Sequence, residues 1–225
     1  MAVFFLNLPR IVKNSTNGSL EYIYDAAGNK LAKKLNGVFV NFYCGSVVYT
    51  GSKAVKYVMH SQGMARPNGS NWDYQYNLTD HLGNVRYVTD VNKTFEQRTD
   101  YFPFGLGHST SPIELAKNKY LYNGKELQTE LGYEALDYGV RRYDPRIIQW
   151  NGIDPLTEQS RRWSPYVYCY DNPIIFIDPD GMDPKKYNFF QRADQWINSI
   201  KGPVSNPSVK RDLQMIGNAI VGGHR

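Results

Sequence analysis

In the first half of the chain apolar residues fall at every second position, in short runs that stop at Gly, Asn or Asp. Tyr22 and Tyr24 lead into Asp25-Ala26-Ala27-Gly28-Asn29, and Leu31 follows. The skeleton returns with Tyr74, Tyr76 and Leu78 entering Asp80-His81-Leu82-Gly83-Asn84, and with Val85, Tyr87 and Thr89 leaving it. A period of two describes a half-buried strand. An Asp at the head of a turn accepts backbone amides through its carboxylate, and a Gly near its end takes the positive φ that closes it. Both stretches are therefore predicted to be β-hairpins, with Asp25, Gly28, Asp80 and Gly83 as turn residues. The runs 37–43, 46–50 and 54–60 also have strand length and composition, and the opening MAVFF reads as another strand. Segment 61–73, rich in Gly, Ser and Asn and holding Pro67, is expected to be a loop, and 112–117 a short helix. The predicted fold class is mainly β, an antiparallel meander of hairpins over residues 1–119.

Composition supports that class. The chain has 18 Tyr, 10 Phe and 4 Trp among 19 Gly and 12 Pro, a mixture that favours strands separated by tight turns. The net charge of +5 comes from dispersed residues, with short clusters at Lys30, Lys33, Lys34 and at Arg141, Arg142, Arg146. With no basic stripe, a solvated surface is expected and nucleic acid is not a predicted partner. A mean hydropathy of -0.53 and the lack of any long apolar run exclude a helical membrane span. The opening residues have no cleavage site for a signal peptide. The triplets at Asn14, Asn17, Asn68, Asn77 and Asn92 fit glycosylation acceptors only in a chain secreted by a eukaryotic cell.

Residues that could carry metal or nucleophile chemistry are scattered. His60, His81, His108 and His224 lack metal-ligand spacing, Cys44 and Cys169 could pair or stay free, and Cys169 between Tyr168 and Tyr170 reads as a small buried thiol in a short strand. Asp178-Pro179-Asp180-Gly181 lacks the further oxygen ligands of a calcium loop, and no phosphate-binding glycine loop follows a strand. No cofactor and no metal are predicted.

The densest signals lie in 120–182: Tyr120-x-Tyr122-Asn123-Gly124-Lys125-Glu126, Leu131-Gly132, Asp137-Tyr138-Gly139-x-Arg141-x-Tyr143-Asp144-Pro145, Asp154-Pro155-Leu156, Ser164-Pro165-Tyr166-x-Tyr168, Asn172-Pro173 and Ile177-Asp178-Pro179-Asp180-Gly181. This stretch resembles the RHS-repeat-associated core domain, and the two hairpins before it resemble the YD repeats that precede that core. The resemblance covers residues 10–182. It implies a spiralling β-shell, a core that caps one end, and a variable C-terminal region held inside, often a toxin. It also implies a secreted or cell-surface, bacterial setting, with the rest of a shell, a lost toxin domain or the chain's own tail as partners. Because the chain opens within what resembles a repeat, a truncated shell segment is expected, one that stays cytoplasmic if expressed without an export signal.

The family's reaction is self-cleavage after its terminal Asp-Pro motif by two aspartates helped by an arginine. The resemblance carries that role onto Asp154 and Asp178, with cleavage after Met182. Two nearby carboxylates can divide acid and base work between them. Here Thr157 stands where self-cleaving members have Gly, and in Tyr143-Asp144-Pro145-Arg146-Ile147-Ile148-Gln149-Trp150 the family's Gly and Arg are Ile148 and Gln149. The pair is thus expected to lack its cation. The plainer reading of Asp154 and Asp178, as of Asp144, Pro145, Asn172, Pro173 and Gly181, is turn formation around proline. In 183–225, Tyr187, Phe190, Ala193, Ile197 and Ile200 recur at helical spacing, and a helical tail is expected. Scaffold, self-cleaving chain and a binding module for a surface glycan, built on exposed Tyr and Trp, are the three functions left open.

Overall fold

The computed structural model describes residues 2–3, 8–16, 18–108 and 118–186. The chain divides into two units, Met1–Lys186 and Tyr187–Arg225, and all described residues belong to the first. The sequence-predicted helices at 112–117 and from Tyr187 onwards lie outside them. At the near end of the tail, Lys185–Lys186 is a short strand rather than helix.

Eleven strands form one sheet in which every neighbour in space is the neighbour in sequence. They are β1 (Ala2–Val3), β2 (Pro9–Lys13), β3 (Ser19–Tyr24), β4 (Lys30–Leu35), β5 (Val38–Cys44), β6 (Val47–Thr50), β7 (Val55–His60), β8 (Gly63–Asn68), β9 (Asn71–Thr79), β10 (Val85–Thr89) and β11 (Phe95–Arg98). All pairs are antiparallel, so the predicted meander is present throughout. The expected loop at 61–73 is instead the hairpin β8–β9. Pro67 is tolerated near its tip, where it faces Trp72, because only the turn at Gly69 and Ser70 remains to be closed.

Register sets which face is covered. Tyr22, Lys33, Asn41 and Thr50 are successive cross-strand partners on one face, and Tyr22, Lys33 and Asn41 are buried. On the same face, Val48, Tyr57 and Met64 form a small apolar cluster with Tyr120 packed on it. The opposite face carries Trp72, Tyr74, Leu78 and Phe95, all exposed.

Both predicted hairpin turns form as expected. Asp25 Oδ1 accepts the amides of Ala27 and Asn29 at 2.9 and 2.8 Å, and Gly28 has φ 87°. Asp80 Oδ1 accepts those of Leu82 and Asn84 at 3.0 and 3.1 Å, and Gly83 has φ 82°. A third copy escaped the sequence pattern: Asp90 Oδ1 accepts the Thr94 amide at 2.8 Å, with Lys93 at φ 66° in the place of Gly.

Against the covered face lies a second sheet, β12 (Glu126–Gln128), β13 (Ala135–Asp137), β14 (Arg142–Asp144) and β15 (Gln149–Trp150), followed by the pair β16 (Phe176–Ile177) and β17 (Lys185–Lys186). Its core is aromatic: Tyr122, Leu136, Tyr138, Tyr143, Trp150, Tyr168 and Cys169 are all buried together. Tyr143 stacks on Tyr168 with centroids 3.9 Å apart, and Asn123 Oδ1 accepts both the Tyr138 and Tyr168 hydroxyls at 2.7 Å. Cys169 is buried as expected, but it opens a 3-10 turn (Cys169–Asp171) instead of sitting in a strand. Its thiol is pushed up to about 12 by burial, which keeps it in the unreactive protonated form.

The two sheets meet through charge as well as apolar surface. Lys30 Nζ of β4 contacts Glu126 Oε2 at 2.6 Å and Asp137 Oδ2 at 2.7 Å. Lys33 Nζ, fully buried, contacts Glu130 Oε1 at 2.7 Å. Arg142 Nη1 lies 2.5 Å from Asp137 Oδ1, and its Nη2 donates to Tyr24 Oη at 2.8 Å. The second hairpin turn docks too: Asn84 Oδ1 accepts the Asn123 amide at 2.8 Å.

Candidate functional site

The turn that begins at Asp178 repeats the scaffold device. Asp178 Oδ1 accepts the amides of Gly181 and Met182 at 2.8 and 3.1 Å, and Gly181 has φ 83°. A Cβ on Gly181 would lie 3.0 Å from the Arg141 amide nitrogen, so the close approach also requires glycine. Asp154 behaves alike, with Oδ1 accepting the Leu156 amide at 2.8 Å. Turn formation is therefore real for both aspartates.

It uses only one oxygen of each. The other oxygens converge on one guanidinium nitrogen: Arg141 Nη2 lies 2.9 Å from Asp154 Oδ2 and 3.5 Å from Asp178 Oδ2. The expectation that this pair lacks a cation, drawn from Gln149, is thereby corrected. Gln149 is exposed on β15 opposite Asp144, whereas Arg141, 3% exposed, fills the role from the position just before β14. Arg141 and Arg142 are adjacent, and residues entering a strand side by side point to opposite faces. One meets the large sheet and the other the Asp-Pro turns.

Arg141 does more than pair charges. Its Nε donates to the Gly181 carbonyl and its Nη1 to the Pro165 carbonyl, at 2.5 and 3.2 Å, and its guanidinium lies 4.3 Å over the Trp150 ring. With Nη2 on the carboxylates, every edge of the fork is occupied, a bidentate-type geometry that lysine cannot reproduce.

Burial pushes Asp178 up to about 6, against the Gly181 amide and Arg141, which favour its charge, and with Asp180 adding to the rise. Arg141 sits nearer Asp154. A raised Asp178 within reach of the same arginine as a second carboxylate is an arrangement acid–base chemistry can use.

The remaining predicted residues are structural. Asp144 Oδ1 accepts the Arg146 amide at 2.9 Å, and Pro145 and Pro173 are buried. The Asn172 carbonyl accepts the amides of Ile175 and Phe176. Ile148 has φ 59°, so it adopts the left-handed backbone and carries the strain of a branched side chain there. For the surface-binding expectation, Trp72, Tyr74, Tyr76 and His60 line a groove of about 360 Å³ on the outer face of β7–β9. Among the described residues no group of His, Cys, Asp and Glu has metal-holding geometry, and no helix is long and apolar enough to cross a membrane.

No family model matches the chain. Over 175 residues it is 30% identical to the tRNA3(Ser)-specific nuclease WapA of Bacillus spizizenii, covering 71% of this chain. Over 198 residues it is 28% identical to salivary gland surface protein 1 of Aedes aegypti, covering 76%. The chain spans only 7% and 6% of those relatives. Among solved structures it is similar to the TcdB2-TccC3-TEV crystal structure, with a TM-score of 0.60 at 18% identity, and to TcdB2-TccC3, with 0.58 at 18%. Those alignments cover 80% and 76% of this chain and 10% of the other. The likeness shows a shared β-rich fold, found here as part of much larger chains.

Proposed function

We propose that this chain is a wall segment of an RHS-type β-shell together with the core unit that packs on its inner face, acting as a structural scaffold for a toxin or surface protein. The observation that carries this reading is the unbroken eleven-strand meander, one face of which is covered by the second sheet through buried ion pairs while the other stays open. Likeness to short stretches of much longer proteins, among them the nuclease WapA and, in fold, TcdB2-TccC3, supports it. A wall has to outlast proteases. The 26 Lys and Arg of the chain give trypsin many sites, and the expected result is a resistant body extending through β15. Digestion within β5–β9 as fast as in an unfolded chain would sink the proposal.

A second reading is favoured by Arg141 bridging Asp154 and Asp178: single-turnover self-cleavage after Met182. Asp154 takes a proton from water, the water oxygen bonds to the Met182 carbonyl carbon, and Asp178 supplies a proton as the bond to the Asp183 nitrogen breaks. Met182 is left with a carboxylate and Asp183 with an amine. Arg141 holds the turn and the charge on the pair. Intact mass of fresh protein tests it: loss of residues 183–225 from the wild type but not from Asp178→Asn supports cleavage, and a full-length mass in both leaves the scaffold alone.

A further inference from the structure

The turn at 178–182 is gripped along its backbone from outside. The Asp180 carbonyl accepts the Val140 amide at 3.2 Å and the Gly181 carbonyl accepts Arg141 Nε at 2.5 Å. Both donors come from one short segment. The Pro179 carbonyl is held from elsewhere, by Lys125 Nζ at 2.5 Å. Lys125 immediately precedes Glu126 of β12, which Lys30 of the large sheet grips at 2.6 Å. Its ammonium also lies 5.1 Å over the Tyr138 ring, whose hydroxyl is fixed by Asn123.

We infer that Lys125 is a positioning residue for self-cleavage: by holding the Pro179 carbonyl it fixes the 178–182 turn, and with it the peptide bond after Met182, against Asp154 and Asp178. The inference rests on the self-cleavage reading. A grip at the start of a five-residue turn matters because small misplacements of a reacting bond cost rate steeply. The grip also ties the turn to the sheet, since the strand that carries Lys125 is the one that Lys30 anchors. The charge of Lys125 is set by its surroundings: burial lowers its pKa, while Asp137, Asp178 and Asp180 act to hold the proton on. Arginine would keep both the charge and a donor for the Pro179 carbonyl, whereas methionine keeps only the stem.

The test follows intact mass with time for wild type, Asp178→Asn, Lys125→Met and Lys125→Arg over a range of pH, with thermal melting to confirm folding. Cleavage in Lys125→Met is expected to be slower by about tenfold or more, with rescue in Lys125→Arg. Loss of a cation near Asp178 also disfavours its charged form, so the pH midpoint of cleavage should move upward in the methionine variant and not in the arginine variant. A wild type that cleaves while folded Lys125→Met cleaves at the same rate overturns the role of Lys125 alone. A wild type that stays intact, like Asp178→Asn, overturns the self-cleavage reading and the inference with it.

Discussion

Arg141 and Arg142 are adjacent in the chain and point to opposite sides of the second sheet. Arg142, fully buried, reaches Asp137 and the Tyr24 hydroxyl of β3. Arg141 reaches Asp154, Asp178 and the Gly181 carbonyl. A single dipeptide therefore joins the large sheet to the turn that bears the candidate chemistry, and the ion pairs behind Arg142 carry the consequence for stability.

Lys30 is the hinge of those pairs. Removing its charge in Lys30→Met leaves the Glu126 and Asp137 side chains, 6% and 8% exposed, short of one cation. Breaking a buried pair from one side costs about 3–5 kcal/mol. Urea unfolding should show a loss of that size, and an unchanged midpoint would mean that the sheets dock through apolar contact alone.

Acid should loosen the same interface. Burial opposes the charge of Glu126, Asp137 and Glu130, yet Lys30, Lys33 and Arg142 outweigh it and lower all three carboxyls, Glu130 to about 2 from its ordinary 4.5. Groups with depressed values stabilise the fold above their unfolded pKa and lose that contribution as pH falls through the folded one. For Glu130 the window runs from about 4.5 down to 2. In Lys33→Met, where the contact to Glu130 is gone, stability should change less over this window than in the wild type, as read by denaturant midpoints at each pH.

Asp178 has the opposite sign. Its carboxyl rises from 3.8 to about 6, so its contribution is fully present below 3.8 and is lost as pH rises through 6. The difference amounts to about 3 kcal/mol at full ionisation. The comparison is between Asp154→Asn and the double variant with Asp178→Asn, neither of which should cut itself. Between about pH 4 and 7, the chain retaining Asp178 is expected to lose that much stability relative to the other, and parallel profiles would show that Asp178 is not raised.

Local chemistry made much of this fold legible. Asp25, Gly28, Asp80 and Gly83 announce their turns because every partner lies within four residues. The strands β5, β6 and β7 follow from alternation. The hairpin β8–β9 was hidden because small and polar residues, Gly63, Ala65 and Asn71 among them, occupy positions where apolar ones would mark a strand, and pairing with β7 supplies what propensity does not. The third turn was hidden because Lys93 stands in for Gly. At the candidate site the two aspartates were readable as motif residues. Arg141 was not, since its partners lie 13 and 37 residues away and only the fold brings them together.

Ile148 offers a test of what a strained backbone position costs this fold. It holds φ 59° at the tip of the β14–β15 turn, is 40% exposed, and has Ile147 and Gln149, both exposed, on either side. A branched side chain in the left-handed region costs about 1–2 kcal/mol, and an exposed site returns little of that through packing. Glycine adopts the same backbone without the clash, though it adds freedom to the unfolded chain. Ile148→Gly is therefore expected to stabilise the protein by about 1 kcal/mol, seen as a rise in melting temperature. Since the side-chain hydrogen bonds that hold Asp154 and Arg141 run to each other, Leu156, Pro165, Asp178 and Gly181 and do not involve Ile148, any self-cleavage should keep its rate. A drop in stability would show that the Ile148 side chain makes contacts worth more than its strain, and a gain in cleavage would show that this turn, and not Arg141 alone, tunes the aspartate pair.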